Sequence, residues 1–134
     1  MNTPLTSIKN QMKRYTSFNV STGAVEQMAE ILRKEIKRIR EGCDKTITED
    51  YLETCGSIVE FASVNLISMA PLLRDLKMGS KDRITNKGKK YFHELINGLV
   101  HNITVRADKW VKTEKTLNRE HIALGHYTVL MELR

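Results

Sequence analysis

At 134 residues and 40 % apolar content, the chain has the size of one compact domain but little sequence for a single large core, which suits an assembly of amphipathic helices. No apolar run approaches the ~18 residues of a membrane span, MNTPLTSIKNQMKR has no signal-type apolar stretch, and Cys43 and Cys55 form neither a disulfide framework nor a zinc site, so an intracellular protein with reduced thiols is expected, one at a helix end and one in a core. The net charge of +6 is uneven: residues 1–65 carry nine Lys/Arg against nine Asp/Glu and residues 66–134 thirteen against seven, so the excess lies in the second half and points to a polyanion, nucleic acid first.

In chain order, Leu5, Ile8, Met12 and Tyr15 fall at helical spacing after a Thr3-Pro4 start. Ser21-Thr22 caps a longer helix whose apolar face is Val25, Met28, Ala29, Leu32, Ile36 and Ile39. Gly42 is expected to stop it in the left-handed conformation. Thr48 caps a third helix through Leu52, Cys55, Ile58, Val59 and Ala62, ending near Ser63. From near Leu66, a short helix carries Met69, Leu72, Leu73 and Leu76, with Pro71 tolerated in its first turn. After a polar loop, 78–83, the longest helix runs from about Asn86 to Lys112 with Phe92, Leu95, Ile96, Leu99, Ile103, Ala107 and Trp110 on one face. Gly98 is a candidate for close contact with a crossing helix, and Trp110 for a packing anchor. The last helix, from about Asn118, turns Ile122, Ala123, Leu130 and Leu133 inward. Strands are limited to two-residue bridges at Ile47-Thr48 and Ile84-Thr85.

The order short, long, medium occurs twice. Ile8, Met12, Lys13, Val20 and Ser21 recur 64 positions later as Leu72, Leu76, Lys77, Ile84 and Thr85. Lys45-Thr46-Ile47-Thr48 recurs 70 positions later as Lys115-Thr116-Leu117-Asn118, so the second copy is longer between the two markers. Each copy alone has too little core to stand. No Gly/Ser or Pro linker separates them, so they should pack together, with halves at 1–65 and 66–134.

Ala70-Pro71-Leu72-Leu73-Arg74-Asp75-Leu76-Lys77, a polar loop and Arg83-Ile84-Thr85 resemble the first helix and first loop of archaeal histones, without a gap in the spacing. Lys115-Thr116-Leu117 with Glu120-His121-Ile122 resembles the second loop and third helix. The first half repeats both signals in Val20-Ser21 with Ala24 and in Lys45-Thr46-Ile47-Thr48-Glu49-Asp50. The chain is similar to a fused archaeal-type or viral histone doublet without long basic tails. The resemblance implies an all-α fold of two tandem histone folds clasped in an intramolecular handshake pseudodimer, with crossed long helices and the first loop of each half beside the second loop of the other. It implies sequence-nonspecific binding and compaction of double-stranded DNA through phosphates and the minor groove. It also implies further copies or other histones as protein partners, and a chromatin- or nucleoid-associated location, in a virion or host nucleus if the source is viral.

Carried over, the resemblance makes Arg74, Lys77, Arg83, Lys115 and Thr116 the main DNA contacts, then Lys45, Thr46 and Lys13, with Lys81 and Lys112 secondary. Asn10 and Asn19 stand where Arg74 and Arg83 stand, so contact should be lopsided. The first half's long helix and following loop are roughly two turns shorter than the family pattern. Where the family pairs an Arg with an Asp around the second loop, this chain has Glu114 and His121. They are either a sign-swapped pair or an exposed histidine near a helix start.

The His spacings, 93/101 and 121/126, do not build a metal site, and no phosphate-binding glycine loop or nucleophilic triad is present, so neither enzyme nor cofactor is expected. The competing reading is a histone-fold protein–protein module, a scaffold or capping subunit, which the neutral first half favours.

Overall fold

A computed structural model describes residues 2–56, 60–77 and 83–133. It contains α1 (Leu5–Lys13), β1 (Asn19–Val20), α2 (Thr22–Glu41), α3 (Glu49–Cys55), α4 (Met69–Lys77), α5 (Asn86–Asp108), β2 (Thr116–Leu117) and α6 (Arg119–Glu132). Both sequence offsets reappear in the elements. Helices α4 and α5 start 64 residues after α1 and α2, and α6 starts 70 after α3. Half of the six-residue slip lies in α5, which has 23 residues against 20 in α2, and the rest in the loop that follows.

Packing joins the first three helices to the last three. Helix α3 packs on α5 and α4 on α2, while α1 and α6 each touch both long helices. One core results, with Met12, Met28, Leu32, Leu52, Leu72 and Phe92 all at 0 % exposure. These residues come from five helices, and no single helix can bury an apolar stripe against itself. Between α5 and α6, Gly125 is a point of close approach: a Cβ there would stand 2.5 Å from the Ile103 carbonyl oxygen and 2.8 Å from the Ala107 Cβ. That absence of a side chain lets α6 nest on α5. Among the described residues no helix is long and apolar enough to cross a membrane.

Several expectations are corrected. Helix α3 stops at Cys55, before left-handed Gly56 (φ 57°), so Ala62 is not helical, and Ile58 and Val59 lie outside the described residues. Gly42 is right-handed (φ −79°); its Cβ position is taken by the Tyr51 hydroxyl, 2.6 Å away, which donates to the Ile39 carbonyl at 2.7 Å. Room, not backbone freedom, selects glycine there. Trp110 follows the end of α5 and is 41 % exposed, and on α6 the inward residues are His121, Ile122, Gly125 and Val129, while Ala123, Leu130 and Leu133 face out. Both cysteines are free and half-buried; Cys43 follows α2 and Cys55 closes α3.

The non-helical stretch 60–68 is laid across α1 and α5 by buried amides, none of which the apolar pattern signals. Gln11, at 0 % exposure, donates to the Val64 carbonyl (2.7 Å) and accepts from the Leu66 amide (2.8 Å). Asn97 accepts from the Ile67 amide (2.9 Å) and donates to its carbonyl (3.1 Å), and Asn102 donates to the Glu60 carbonyl (2.6 Å). A connector crossing a core must have its peptide groups satisfied, and these three side chains do so.

Candidate nucleic-acid interface

Two short parallel bridges form, each between a loop of the first half and a loop of the second. In one, Asn19 pairs with Thr116 and Val20 with Leu117. In the other, Ile47 pairs with Ile84. The hydrogen bonds repeat: the Ser21 amide donates to Leu117 O and the Thr85 amide to Ile47 O, both at 3.0 Å. The Ile47 amide also donates to Arg83 O at 2.7 Å. Ile47-Thr48 and Ile84-Thr85 were legible as two-residue bridge segments; Asn19 and Thr116 were not, because a polar two-residue strand has no periodicity to detect.

Each bridge leads into two helix starts. Ser21 accepts from Ala24 N (3.1 Å) and Thr85 from Gly88 N (3.0 Å), capping α2 and α5. Thr48 accepts from Tyr51 N at 3.1 Å, capping α3. At α6 the Asn118 amide donates to His121 Nδ1 at 2.9 Å. Because the strands are parallel, the helices that follow leave each bridge together. The start of α6 lies beside α2, where Arg119 bonds Gln27 and Glu26 at 3.0 Å. The start of α5 lies beside the other loop, where a Cβ on Gly88 would be 3.0 Å from Ile47 O. Adjacent helix N-termini leave amides unpaired within their helices and add partial positive charge.

The candidate side chains gather unequally. Register sets Arg83 next to Thr46 at the second bridge, with Lys45 one residue earlier. At the first bridge Asn19 faces Thr116 and Lys115 precedes it, in the left-handed region at φ 60°. Lys45, Thr46, Arg83 and Lys115 are exposed and Thr116 is half-buried. Lys13, Arg74 and Lys77 are exposed on α1 and α4. Lys112 is exposed beside Trp110, and Lys81 lies outside the described residues. Among the described residues none of Lys13, Lys45, Arg74, Lys77, Arg83 and Lys115 is ion-paired. Four of the five cations of α2 contrast with them: Arg33 and Lys34 lie 3.8 and 3.4 Å from Glu30, Lys37 lies 3.9 Å from Glu41, and Arg38 pairs with Glu35.

Asp75, 5 % exposed, accepts from Thr3 N (3.1 Å), Thr3 Oγ1 (2.6 Å) and the Asn2 amide, so the segment before α1 is tied to α4. Thr16 donates to Asp108, holding the loop before β1 against the end of α5. Neither partnership was evident from sequence. His121 is 6 % exposed, not the exposed histidine of one alternative. Its Nδ1 accepts from a backbone amide, which puts the proton of a neutral ring on Nε2, 3.8 Å from Glu114. The Glu114 carboxyl is held below its usual range by backbone amides, its own and that of Lys112 (2.8 Å), with His121 adding to the effect.

This arrangement has the fold of a histone. The chain is similar to the histone from Methanopyrus kandleri with a TM-score of 0.66, at 16 % identity over 92 % of each chain. No protein-family model matches the sequence, and no curated protein matches it either.

Proposed function

We propose that the protein is a histone doublet that binds and compacts double-stranded DNA without sequence specificity. In this reading 1–65 and 66–134 are two histone folds whose long helices, α2 and α5, cross in a handshake within one chain. The observation that carries it is the pair of cross-half bridges, each holding a Lys-Thr step and two adjacent helix starts. The repeated offsets and the likeness to the Methanopyrus kandleri histone support it. Phosphates meet loop amides, helix N-termini and unpaired lysines, and Arg83 enters the minor groove. In this reading affinity follows backbone charge and bendability. Lys13, Arg74 and Lys77 add backbone contacts from the short helices. The protein resides on chromatin or a nucleoid.

Titrating DNA binding against salt tests this. A packaging protein loses affinity with a slope near −0.9 per phosphate contacted and binds unrelated sequences alike. Weak binding that ignores salt would instead favour a protein–protein module. Nuclease protection of reconstituted DNA then measures the length engaged.

A further inference from the structure

The loop that carries Lys115 and Thr116 turns its own backbone onto an anion. The Glu114 carboxylate, exposed to solvent, accepts from the Lys112 amide at 2.8 Å through Oε2, and the amides of Glu114 itself and of Thr113 also bond it. Its other oxygen lies 3.8 Å from His121 Nε2. Consecutive amides converging on one point form a concavity for an anion, as in backbone nests that hold phosphate. The amides stabilise the charge they meet: the Glu114 amide and then that of Lys112 hold the carboxyl below its usual range.

The neighbours are cationic. In the stretch 109–115, Lys109, Lys112 and Lys115 are all exposed, and Glu114 is the single acid. The carboxylate therefore sits among amides and lysines, immediately before the Lys115-Thr116 step of the first bridge. Asp44 stands at the same offset before Lys45-Thr46 and is also exposed, but among the described residues it accepts no hydrogen bond. An anion held by backbone amides is thus a feature of one loop and not of its counterpart.

We propose that the amides of residues 112–114 form a phosphate site, and that the Glu114 carboxylate occupies it until a phosphate of DNA displaces it. A phosphodiester presents two unesterified oxygens and one negative charge, as a carboxylate does, so it suits the same donors. Left in place, Glu114 would face the incoming backbone with like charge. Displaced, it returns to water at little cost, because it is already exposed. The physiological ligand rests on the DNA-binding reading above, whereas the chemistry of the site does not, so inorganic phosphate and a duplex of arbitrary sequence serve as separate probes.

In amide-resolved NMR of the full chain, inorganic phosphate should shift the Lys112 and Thr113 amides of Glu114→Ala saturably, beyond the effect of sodium chloride at equal ionic strength, and should shift them less in the parent. Glu114→Gln should bind the duplex about fivefold more tightly than the parent at low salt. Asp44→Asn removes the same charge from the other loop and should gain less than about twofold. Circular dichroism of these variants should match the parent, since both side chains are exposed. Phosphate shifts no larger than those of chloride overturn the site. A Glu114→Gln gain no larger than that of Asp44→Asn overturns the displacement, leaving Glu114 a plain like charge. A loss of affinity overturns it too, making Glu114 a brace for Lys115. If no chain binds the duplex while the phosphate shifts persist, the DNA-binding reading fails and the anion site stands.

Discussion

The two bridges have the same hydrogen-bond plan and different equipment. Where the second has Arg83, the first has Asn19. Where the second has Gly88, with no room for a Cβ between Thr85 Oγ1 (2.9 Å) and Ile47 O (3.0 Å), the first has Ala24, buried and accommodated. The first holds its lysine, Lys115, in left-handed backbone, whereas Lys45 has ordinary φ. The charge count divides the chain into a neutral and a basic half, yet each bridge draws one strand from each half. The basic half therefore lends Lys115-Thr116 to one bridge and Arg83 to the other. Lopsidedness lies between the ends of the molecule, and it reduces mainly to one arginine.

Removing that arginine should have the largest effect. Arg83→Ala is expected to weaken DNA binding about thirtyfold, ~2 kcal/mol, and to lower the salt slope by about 1, while Asn19→Ala changes little. Equal losses in a binding titration would mean that the ends are equivalent. Next comes Gly88→Ala, which should lower stability by about 1–2 kcal/mol in urea melts because a backbone carbonyl obstructs the new methyl. Its contrast is Gly23→Ala at the other end, where the nearest atom to a Cβ is 3.7 Å away; this change should gain roughly 0.5 kcal/mol. Asn19→Arg should then even out the ends, raising DNA affinity several-fold, under ~1.4 kcal/mol, as measured at fixed salt. An unchanged affinity would show that the first bridge stands off the DNA.

The smallest effect is a control placed away from both bridges. His101 stacks on Tyr15 (ring centroids 4.2 Å apart) beside Glu60 of the connector, and burial lowers its pKa against the opposing pull of Glu60. His126 is lowered by burial in the same way, with Glu35 opposing. Folding thus favours the neutral rings. Their contribution is complete above the unfolded value near 6.5 and is lost as pH falls below it, where the unfolded chain takes up protons first. Urea midpoints at pH 7.5 and 5.5 should differ in the parent and less in His101→Gln. If the difference is unchanged in that variant, His101 is not its source.

The helix order, both repeat offsets and the capping residues Ser21 and Thr48 were legible in the sequence, as were the Lys-Thr steps. The end of α3 was not. Ile58, Val59 and Ala62 continue its periodicity, but Gly56 turns the chain out of the helix, and a periodic pattern does not report a left-handed stop. Likewise Leu130 and Leu133 were expected inside. An apolar helix supplies two plausible inner faces, and only Gly125, fitted against Ile103 and Ala107, selects one.

By itself the sequence determined where helices begin, most of the faces that need cover, and the two offsets that recur in the element order. Those are consequences of local conformation and spacing, which neighbouring residues set. Tertiary structure alone decided the register that sets Ile47 on Ile84 and Asn19 on Thr116, that Gln11, Asn97 and Asn102 bond the connector, and that the outer side of α6 stays bare. An apolar stripe specifies that it must be buried, not against what, and a buried amide has no partner until the chain that supplies one has been folded over it.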